Sequence, residues 1–328
     1  MPSNQPIDRI HEVQDFGAID SAWAGTRVEW MDIAGARVRL LRHDGAADGP
    51  LVLLVHGLGG SATNWLEVME PLSAIGDVVA VDLLGFGETA PPRPTSSRPV
   101  NNARFLATLL HALDRGPAVV VGNSMGGLVS TLLAGEHPEL VDQLVLLGPA
   151  LPPYLPGVRP SKVQLSSFGP MLLPVVGPWL MRRRIRSMTF RQQYERMMHG
   201  IVAHPDRIPP RMVEVGIANL SRLTELKWRG LAFKEATTSL FEHQIGPGRS
   251  RVIRAMKQIT APTLYIRGLE DPLVLDATTA MVRRVRPDWL IEEAEDIGHV
   301  PMVEDASWTA EHILAFVRGA TVTQLPVG

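Results

Sequence analysis

The stretch Val119-Val-Val-Gly-Asn-Ser-Met-Gly-Gly-Leu-Val-Ser130 places one serine between glycines, and its setting decides the fold. The apolar run before Gly122 is typical of a strand buried on both faces. Small and apolar residues from Gly126 to Glu136 then follow a helical pattern that ends before Pro138. The stretch therefore predicts a strand, a sharp turn at Ser124 and a helix, the local structure that presents a nucleophilic serine.

On both sides of this stretch, short apolar runs alternate with amphipathic segments. The first two predicted strands form a hairpin around Ala34-Gly35. We predict strands at Arg27–Ile33, Ala36–Arg42, Leu51–Val55, Val78–Val81, Ala118–Val121, Leu144–Leu147, Pro262–Arg267 and Trp289–Glu293. We predict helices at Ala62–Ile75, Arg98–Leu113, Gly126–Glu136, Leu275–Val285 and Ser307–Arg318. The alternation indicates an α/β fold with a mostly parallel central sheet flanked by helices.

The alternation stops at Gly148-Pro149 and resumes only at Pro262. The intervening chain has no strand-like run, and its helical segments are predicted at Val175–Ser187, Arg191–Ala203 and Pro210–Leu223. We therefore expect a helical insertion after the sixth strand. The expected parts are a loose N-terminal arm (1–25), an α/β core (26–149 and 246–320), the insertion (150–245) and a C-terminal tail (321–328).

Composition excludes several classes of function. The 328 residues include no cysteine, which rules out disulfides, thiolate catalysis and Cys-ligated zinc. The ten histidines form no H-x-x-x-H pair and the net charge is −2, so we expect no metal, no cofactor and no nucleic-acid partner. Without a signal peptide or a membrane-length apolar run, we expect a cytoplasmic protein with no stable membrane insertion. The excess of Arg over Lys is typical of GC-rich bacterial genomes.

The insertion differs from the rest of the chain in charge. Between Ala150 and Gln244 there are 14 Lys and Arg but 6 Asp and Glu, a net charge of +8, which leaves −10 for the remainder. A solvated arginine-rich helix face is the simpler interpretation. The alternative is a basic lobe that is held on an acidic body or attracts an anionic substrate.

A nucleophilic serine needs a base and an acid that orients the base. His299, in the loop after the last predicted strand, lies at the sheet edge where Ser124 is expected and is the candidate base. Asp271, which follows the preceding strand, is the candidate acid, and Glu270 is the alternative. The order along the chain is nucleophile, acid, base.

The tetrahedral oxyanion needs two N–H donors. His56-Gly-Leu-Gly-Gly60 directly follows a predicted buried strand, and its glycines permit a turn with an exposed amide. We therefore predict that the backbone amides of Leu58 and Met125 form the oxyanion hole. His56 itself is interpreted as a histidine that braces this loop.

Together these motifs resemble those of the α/β-hydrolase fold superfamily over roughly residues 27–318. The motifs are His56-Gly-Leu-Gly, Asp82-Leu-Leu-Gly-Phe-Gly-Glu88, Gly122-Asn-Ser-Met-Gly-Gly127, Gly268-Leu-Glu-Asp271 and Gly298-His299. The resemblance implies that 150–245 is a cap, or lid, over the active site. It also implies that Asp82 and the turn at Gly85 and Gly87 are structural.

Within the superfamily, Ser124 argues against haloalkane dehalogenases and epoxide hydrolases, which use Asp as the nucleophile. The run from Gly122 to Gly127 is similar to that of C–C bond hydrolases acting on aromatic ring-cleavage products. The Val300-Pro301-Met302 that follows His299 is more like carboxylesterases and monoacylglycerol-type lipases. We therefore expect a serine esterase of a small-molecule substrate. A C–C hydrolase is the alternative, and a lyase, a perhydrolase or a non-catalytic receptor is less favoured.

The substrate pocket is predicted by proximity to these motifs. Trp65 and Val300 are near the oxyanion loop and the base in sequence. Met171 and Trp179 belong to the apolar segment 168–180, which either lines a channel or packs the cap onto the core.

Overall fold

Eight strands form a single sheet in the order β1-β2-β4-β3-β5-β6-β7-β8 in the computed structural model, which describes residues 10–155 and 188–319. The strands are β1 (Thr26–Ile33), β2 (Ala36–His43), β3 (Val52–Val55), β4 (Val78–Val81), β5 (Ala118–Asn123), β6 (Val141–Leu147), β7 (Thr263–Gly268) and β8 (Leu290–Ala294). Strand β2 pairs antiparallel with both β1 and β4, and the remaining pairs of neighbouring strands are parallel. The predicted α/β fold with a mostly parallel sheet is thus confirmed.

Helices cover both faces of this sheet. In the described residues they are α1 (Leu66–Leu72), α2 (Pro99–Leu113), α3 (Met125–Glu136), α4 (Phe190–His199), α5 (Pro210–Leu223), α6 (Arg229–Gln244), α7 (Arg249–Gln258), α8 (Asp276–Val285), α9 (Pro301–Glu304) and α10 (Ala306–Val317). On one face α3 packs against α2 and α7, and on the other α1 packs against α10. Each face buries its own apolar cluster, because β3, β5 and β6 send alternate side chains to opposite sides.

Helices α4, α5 and α6 lie between β6 and β7, where the sequence predicts a helical insertion. The bounds of α5 match the prediction, whereas the predicted helix Val175–Ser187 lies outside the described residues. Helices α6 and α7 were not predicted. Apart from Leu240, the buried positions of α6 are small or polar residues such as Ala232 and Thr237, so no apolar stripe marks it in the sequence. None of the described helices is long and apolar enough to cross a bilayer.

The expectation of a loose arm is wrong for residues 10–25. Phe16 and Trp23 are almost fully buried and contact each other edge to face. Asp15 and Asp20 each cap a short 3₁₀ turn by accepting an N–H two residues later. Burial of two large aromatic side chains stabilises the docked segment by several kcal/mol. The polar character of the surrounding sequence does not indicate this packing.

A buried ion pair organises the loop after β4. Asp82 is fully buried and lies 3.7 Å from the guanidinium of Arg39, itself only 3% exposed. Its carboxylate also accepts hydrogen bonds from the backbone N–H groups of Ala62 (2.7 Å) and Glu88 (2.9 Å). The structural role that the resemblance implied for Asp82 therefore has a physical basis: one carboxylate joins the segments after β3 and β4.

Replacing Asp82 with Ala leaves a buried guanidinium and two buried amides without their acceptor. We expect the free energy of unfolding to fall by about 3–5 kcal/mol, the range for breaking a buried pair. Urea denaturation measures the change. The control is Asp32→Ala, an exposed position on β1, where we expect a change within about 0.5 kcal/mol. Equal effects at the two positions would contradict the assigned role of Asp82.

Candidate active site

Ser124 lies at the turn between β5 and α3 with a backbone conformation that is rare for a side-chain-bearing residue. Its φ is 55° and its ψ is −118°, a region that costs about 1–3 kcal/mol. Gly126 allows the turn to approach β3, because a Cβ there would lie 2.2 Å from the carbonyl oxygen of Val55. The turn raises the serine hydroxyl above the sheet edge at the N-terminus of α3.

The structure brings together the three side chains predicted from separate motifs. His299 Nε2 lies 2.8 Å from Ser124 Oγ, and His299 Nδ1 lies 2.8 Å from Asp271 Oδ2. The histidine and aspartate are almost completely buried, whereas Ser124 remains partly exposed. With Nδ1–H donating to the carboxylate, Nε2 is left to accept the serine proton.

The choice between Asp271 and Glu270 is decided by geometry. The Asp271 carboxylate is held by the N–H groups of Leu273 (2.7 Å) and Val274 (3.0 Å) on its Oδ1, which leaves Oδ2 for His299. Glu270 is exposed and makes no side-chain contact with His299. The acid that contacts the histidine is therefore Asp271.

The predicted oxyanion loop lies against the serine. A Cβ at Gly57 would be 3.0 Å from the Cβ of Ser124, so the loop after β3 and the turn after β5 are in contact. Within the described chain, no residue accepts a hydrogen bond from the backbone amide of Leu58 or of Met125. Both amides thus lack a described acceptor, which an oxyanion hole requires of its donors.

Both ring nitrogens of His56 hydrogen-bond to backbone groups, so neither is free to act as a base. Its Nδ1 donates to the carbonyl of Gly57 (2.8 Å), and its Nε2 accepts from the amide of Leu83 (3.1 Å). Complete burial lowers the pKa of His56 from its ordinary value of 6.5 against the opposing effect of Asp82. His56 therefore stays neutral and braces the loops after β3 and β4.

Two polar residues that were not predicted as site residues hydrogen-bond to the backbone of the loop that carries the candidate base, His299. Asn123 Nδ2 donates to the carbonyls of His299 (2.9 Å) and Leu147 (3.0 Å). Glu304 accepts an N–H from Gly298 (2.8 Å), the residue before the histidine. Asn123 adjoins the serine in sequence, and Glu304 follows the histidine by five residues. What sets them apart from ordinary surface polar residues is their burial, which the sequence does not show.

Of the four predicted pocket residues, two lie within the described part of the chain, and only Val300 is both next to the site and partly exposed. Val300 is partly buried beside His299, whereas Trp65 is completely buried in the apolar cluster beneath α1. Met171 and Trp179 lie outside the described residues. Phe233 of α6, which was not predicted, packs on the oxyanion loop, since a Cβ at Gly59 would lie 3.3 Å from its ring.

Helix α5 is attached to the core beside this site by polar contacts at its beginning, middle and end. Arg211 forms a bidentate pair with Glu67 of α1 (2.7 and 2.6 Å), and Arg222 forms one with Glu88 (3.0 and 3.2 Å). Between them, Asn219 donates to Thr63 Oγ1 at 2.6 Å. The sequence left two interpretations of the basic insertion: a solvated arginine-rich face, or a basic lobe held on an acidic body. Arg211 and Arg222 fit the second, because both pair with carboxylates of the core.

Comparison with known proteins agrees with the fold. The sequence profile of the α/β hydrolase fold family matches residues 50–306, so the chain belongs to that family and is classed as a hydrolase. It is 26% identical to Lipase 1 of Psychrobacter immobilis over 290 residues, covering 88% of this chain and 83% of the lipase.

The chain is also similar to a second curated enzyme and to a solved structure. The chain is 30% identical over 244 residues to the 2-hydroxy-6-oxononadienedioate/2-hydroxy-6-oxononatrienedioate hydrolase of Paraburkholderia xenovorans strain LB400, covering 72% of this chain and 76% of that enzyme. The crystal structure of a putative lipase from Acinetobacter baumannii AYE superposes with a TM-score of 0.71 at 19% identity, covering 92% of this chain and 94% of that one. The superposition shows the shared fold.

The neutral state of His56 predicts a pH dependence of stability. Because its pKa is lower in the folded than in the unfolded chain, stability present above about pH 6.5 is lost as the pH falls and the unfolded histidine takes up a proton. We expect the free energy of unfolding of the wild type to fall more steeply than that of His56→Gln, by up to about 1.4 kcal/mol per pH unit.

Urea denaturation of both proteins between pH 7.5 and 5 measures this difference in slope. The other buried histidines are present in both proteins, so their titration cancels in the comparison. Parallel curves would show that His56 does not stay neutral in the folded protein.

Proposed function

We propose that the protein is a serine hydrolase that cleaves a carboxylic ester of a small or medium apolar substrate through an acyl-enzyme. The observation that carries the proposal is the continuous hydrogen-bonded chain Ser124–His299–Asp271, with 2.8 Å at each step. The similarity to Lipase 1, which spans most of both chains, supports an ester as the substrate.

In the proposed mechanism, Ser124 Oγ attacks the ester carbonyl carbon while His299 Nε2 takes the hydroxyl proton. The carbonyl oxygen becomes an oxyanion that accepts hydrogen bonds from the amides of Leu58 and Met125. The C–O bond then breaks, and His299 gives its proton to the departing alcohol. A water molecule deprotonated by His299 attacks the acyl-enzyme and releases the carboxylic acid.

Asp271 holds the imidazole in the tautomer with a proton on Nδ1 and stabilises the imidazolium that forms during attack. The carboxylate needs no charged partner for this, since the amides of Leu273 and Val274 satisfy its second oxygen. No metal or cofactor enters these steps.

We further propose that residues 150–245 form a cap over the site. Support comes from the two bidentate arginine pairs that attach α5 to Glu67 and Glu88, and from Phe233 of α6, which packs on the oxyanion loop. Phe233 and Val300 are the described candidates for apolar contacts with the substrate.

A C–C bond hydrolase is the second candidate. It is favoured by the 30% identity to the Paraburkholderia xenovorans enzyme and by the run Gly122-Asn-Ser-Met-Gly-Gly127. In this chain, however, the Asn123 side-chain amide donates to the backbone carbonyls of Leu147 and His299, so it serves the structure of the turn. Side by side, turnover of p-nitrophenyl esters and of a vinylogous 1,5-diketone ring-fission product separates the two functions, and the higher kcat/KM identifies the reaction.

Substitution of Ser124 with Ala removes the nucleophile, so we expect loss of ester turnover by at least about 10⁴-fold and loss of fluorophosphonate labelling. Asp271→Asn is expected to lower kcat by about 10³–10⁴-fold, because the imidazole then adopts the wrong tautomer. Steady-state kinetics with p-nitrophenyl butyrate and mass spectrometry of the labelled peptide measure these effects.

The matched control is Ser130→Ala in the same helix. Ser130 is fully buried and its hydroxyl has no hydrogen-bond partner in the described structure, so kcat should stay within about twofold of wild type. Full turnover by Ser124→Ala, or labelling at another residue, would overturn the proposed mechanism.

A further inference from the structure

The segment between α4 and α5 contacts the loop that carries the proposed base. The backbone N–H of His299 donates to the carbonyl of Ile201 at 2.7 Å. Gly298 lies so close to this segment that a Cβ there would be 2.5 Å from the Cα of Val202. Backbone therefore packs on backbone, with no side chain between the segment and the histidine loop.

Glu304 joins the same two segments through its side chain. It lies at the end of α9 and is 1% exposed. Its Oε1 accepts the N–H of His204 at 2.7 Å, and its Oε2 accepts the N–H of Gly298 at 2.8 Å. No cation pairs with this carboxylate in the described residues, so its two oxygens serve two backbone donors.

We propose that Glu304 is a positioning residue that couples the segment 201–204 to His299 and so sets the place of the base relative to Ser124 and Asp271. This inference rests on the proposed function of the site. The backbone of His299 is then held by three groups: the carbonyl of Ile201, the side chain of Asn123 and, through Gly298, the carboxylate of Glu304.

A carboxylate suits this position because both of its oxygens accept hydrogen bonds, whereas a carboxamide of the same shape accepts on one side only. In Glu304→Gln, an NH₂ group faces either Gly298 or His204, and one buried N–H loses its acceptor. The histidine loop then shifts by a fraction of an ångström, and misplacement by about 1 Å is enough to cost about 10²-fold in rate.

The coupling also fixes one end of the proposed cap. Segment 201–204 leads from α4 into α5 and cannot leave the core without breaking the bonds to His299 and Glu304. This part of the proposed cap thus stays with the core during turnover and acts as a wall of the catalytic centre.

The test compares Glu304→Gln with Glu67→Gln in the full chain. Glu67 is a matched control, because its carboxylate also ties the inserted helices to the core, through Arg211, without contacting the histidine loop. We expect Glu304→Gln to lower kcat for p-nitrophenyl butyrate by about 10–100-fold with KM within about threefold, and to slow fluorophosphonate labelling in the same proportion. Glu67→Gln should lower the thermal midpoint while kcat stays within about twofold.

Turnover is expressed per site labelled to completion by the fluorophosphonate, so unfolded protein does not enter kcat. Should Glu304→Gln fail to fold, Glu304→Asp replaces it; this carboxylate is one methylene too short to reach both donors, and a decrease in kcat of at least fivefold is expected. Wild-type kcat in whichever variant folds, or equal losses of kcat in Glu304→Gln and Glu67→Gln, would overturn the inference. Turnover that survives Ser124→Ala would instead overturn the proposed function, whatever the result at Glu304.

Discussion

The strained turn at Ser124 is the constraint on which the site depends. A φ of 55° raises the serine hydroxyl out of the sheet, and the conformation persists only because the surroundings leave no alternative. Gly126 lets the turn lie against the end of β3, and Gly57 lets the loop after β3 lie against Ser124. The strained turn and its close approach to β3 therefore depend on each other, and a larger residue at position 126 would disturb both, together with the proposed oxyanion donors.

The proposed base is positioned by a different means. His299 lies in a loop, and loops are ordinarily more mobile than the elements they connect. Here its side chain contacts Ser124 and Asp271, while its backbone is held by Ile201 and Asn123. The loop gains from these bonds the rigidity that a strand would provide, and a small change in geometry is costly at such a site.

Buried carboxylates connect distant parts of the chain throughout the molecule. Asp82 joins the loops after β3 and β4, Asp271 holds its own turn and the histidine, and Glu304 joins the histidine loop to segment 201–204. Each uses both oxygens, and most of the donors are backbone N–H groups. Since a buried carboxylate without donors is costly, each also penalises any arrangement that separates its partners.

The sequence by itself determined the order of strands and helices, the parallel sheet and the motifs that converge at the ends of β3, β5, β7 and β8, because periodicity and glycine-rich turns are local properties. It did not reveal α6, whose buried face is mostly small and polar residues, or the packing of Phe16 and Trp23 in the supposed arm. Only the tertiary structure places Asp271 rather than Glu270 against His299, joins both ring nitrogens of His56 to the backbone and brings Glu304 to Gly298. Those outcomes depend on distances between residues far apart in the chain, which no local pattern encodes.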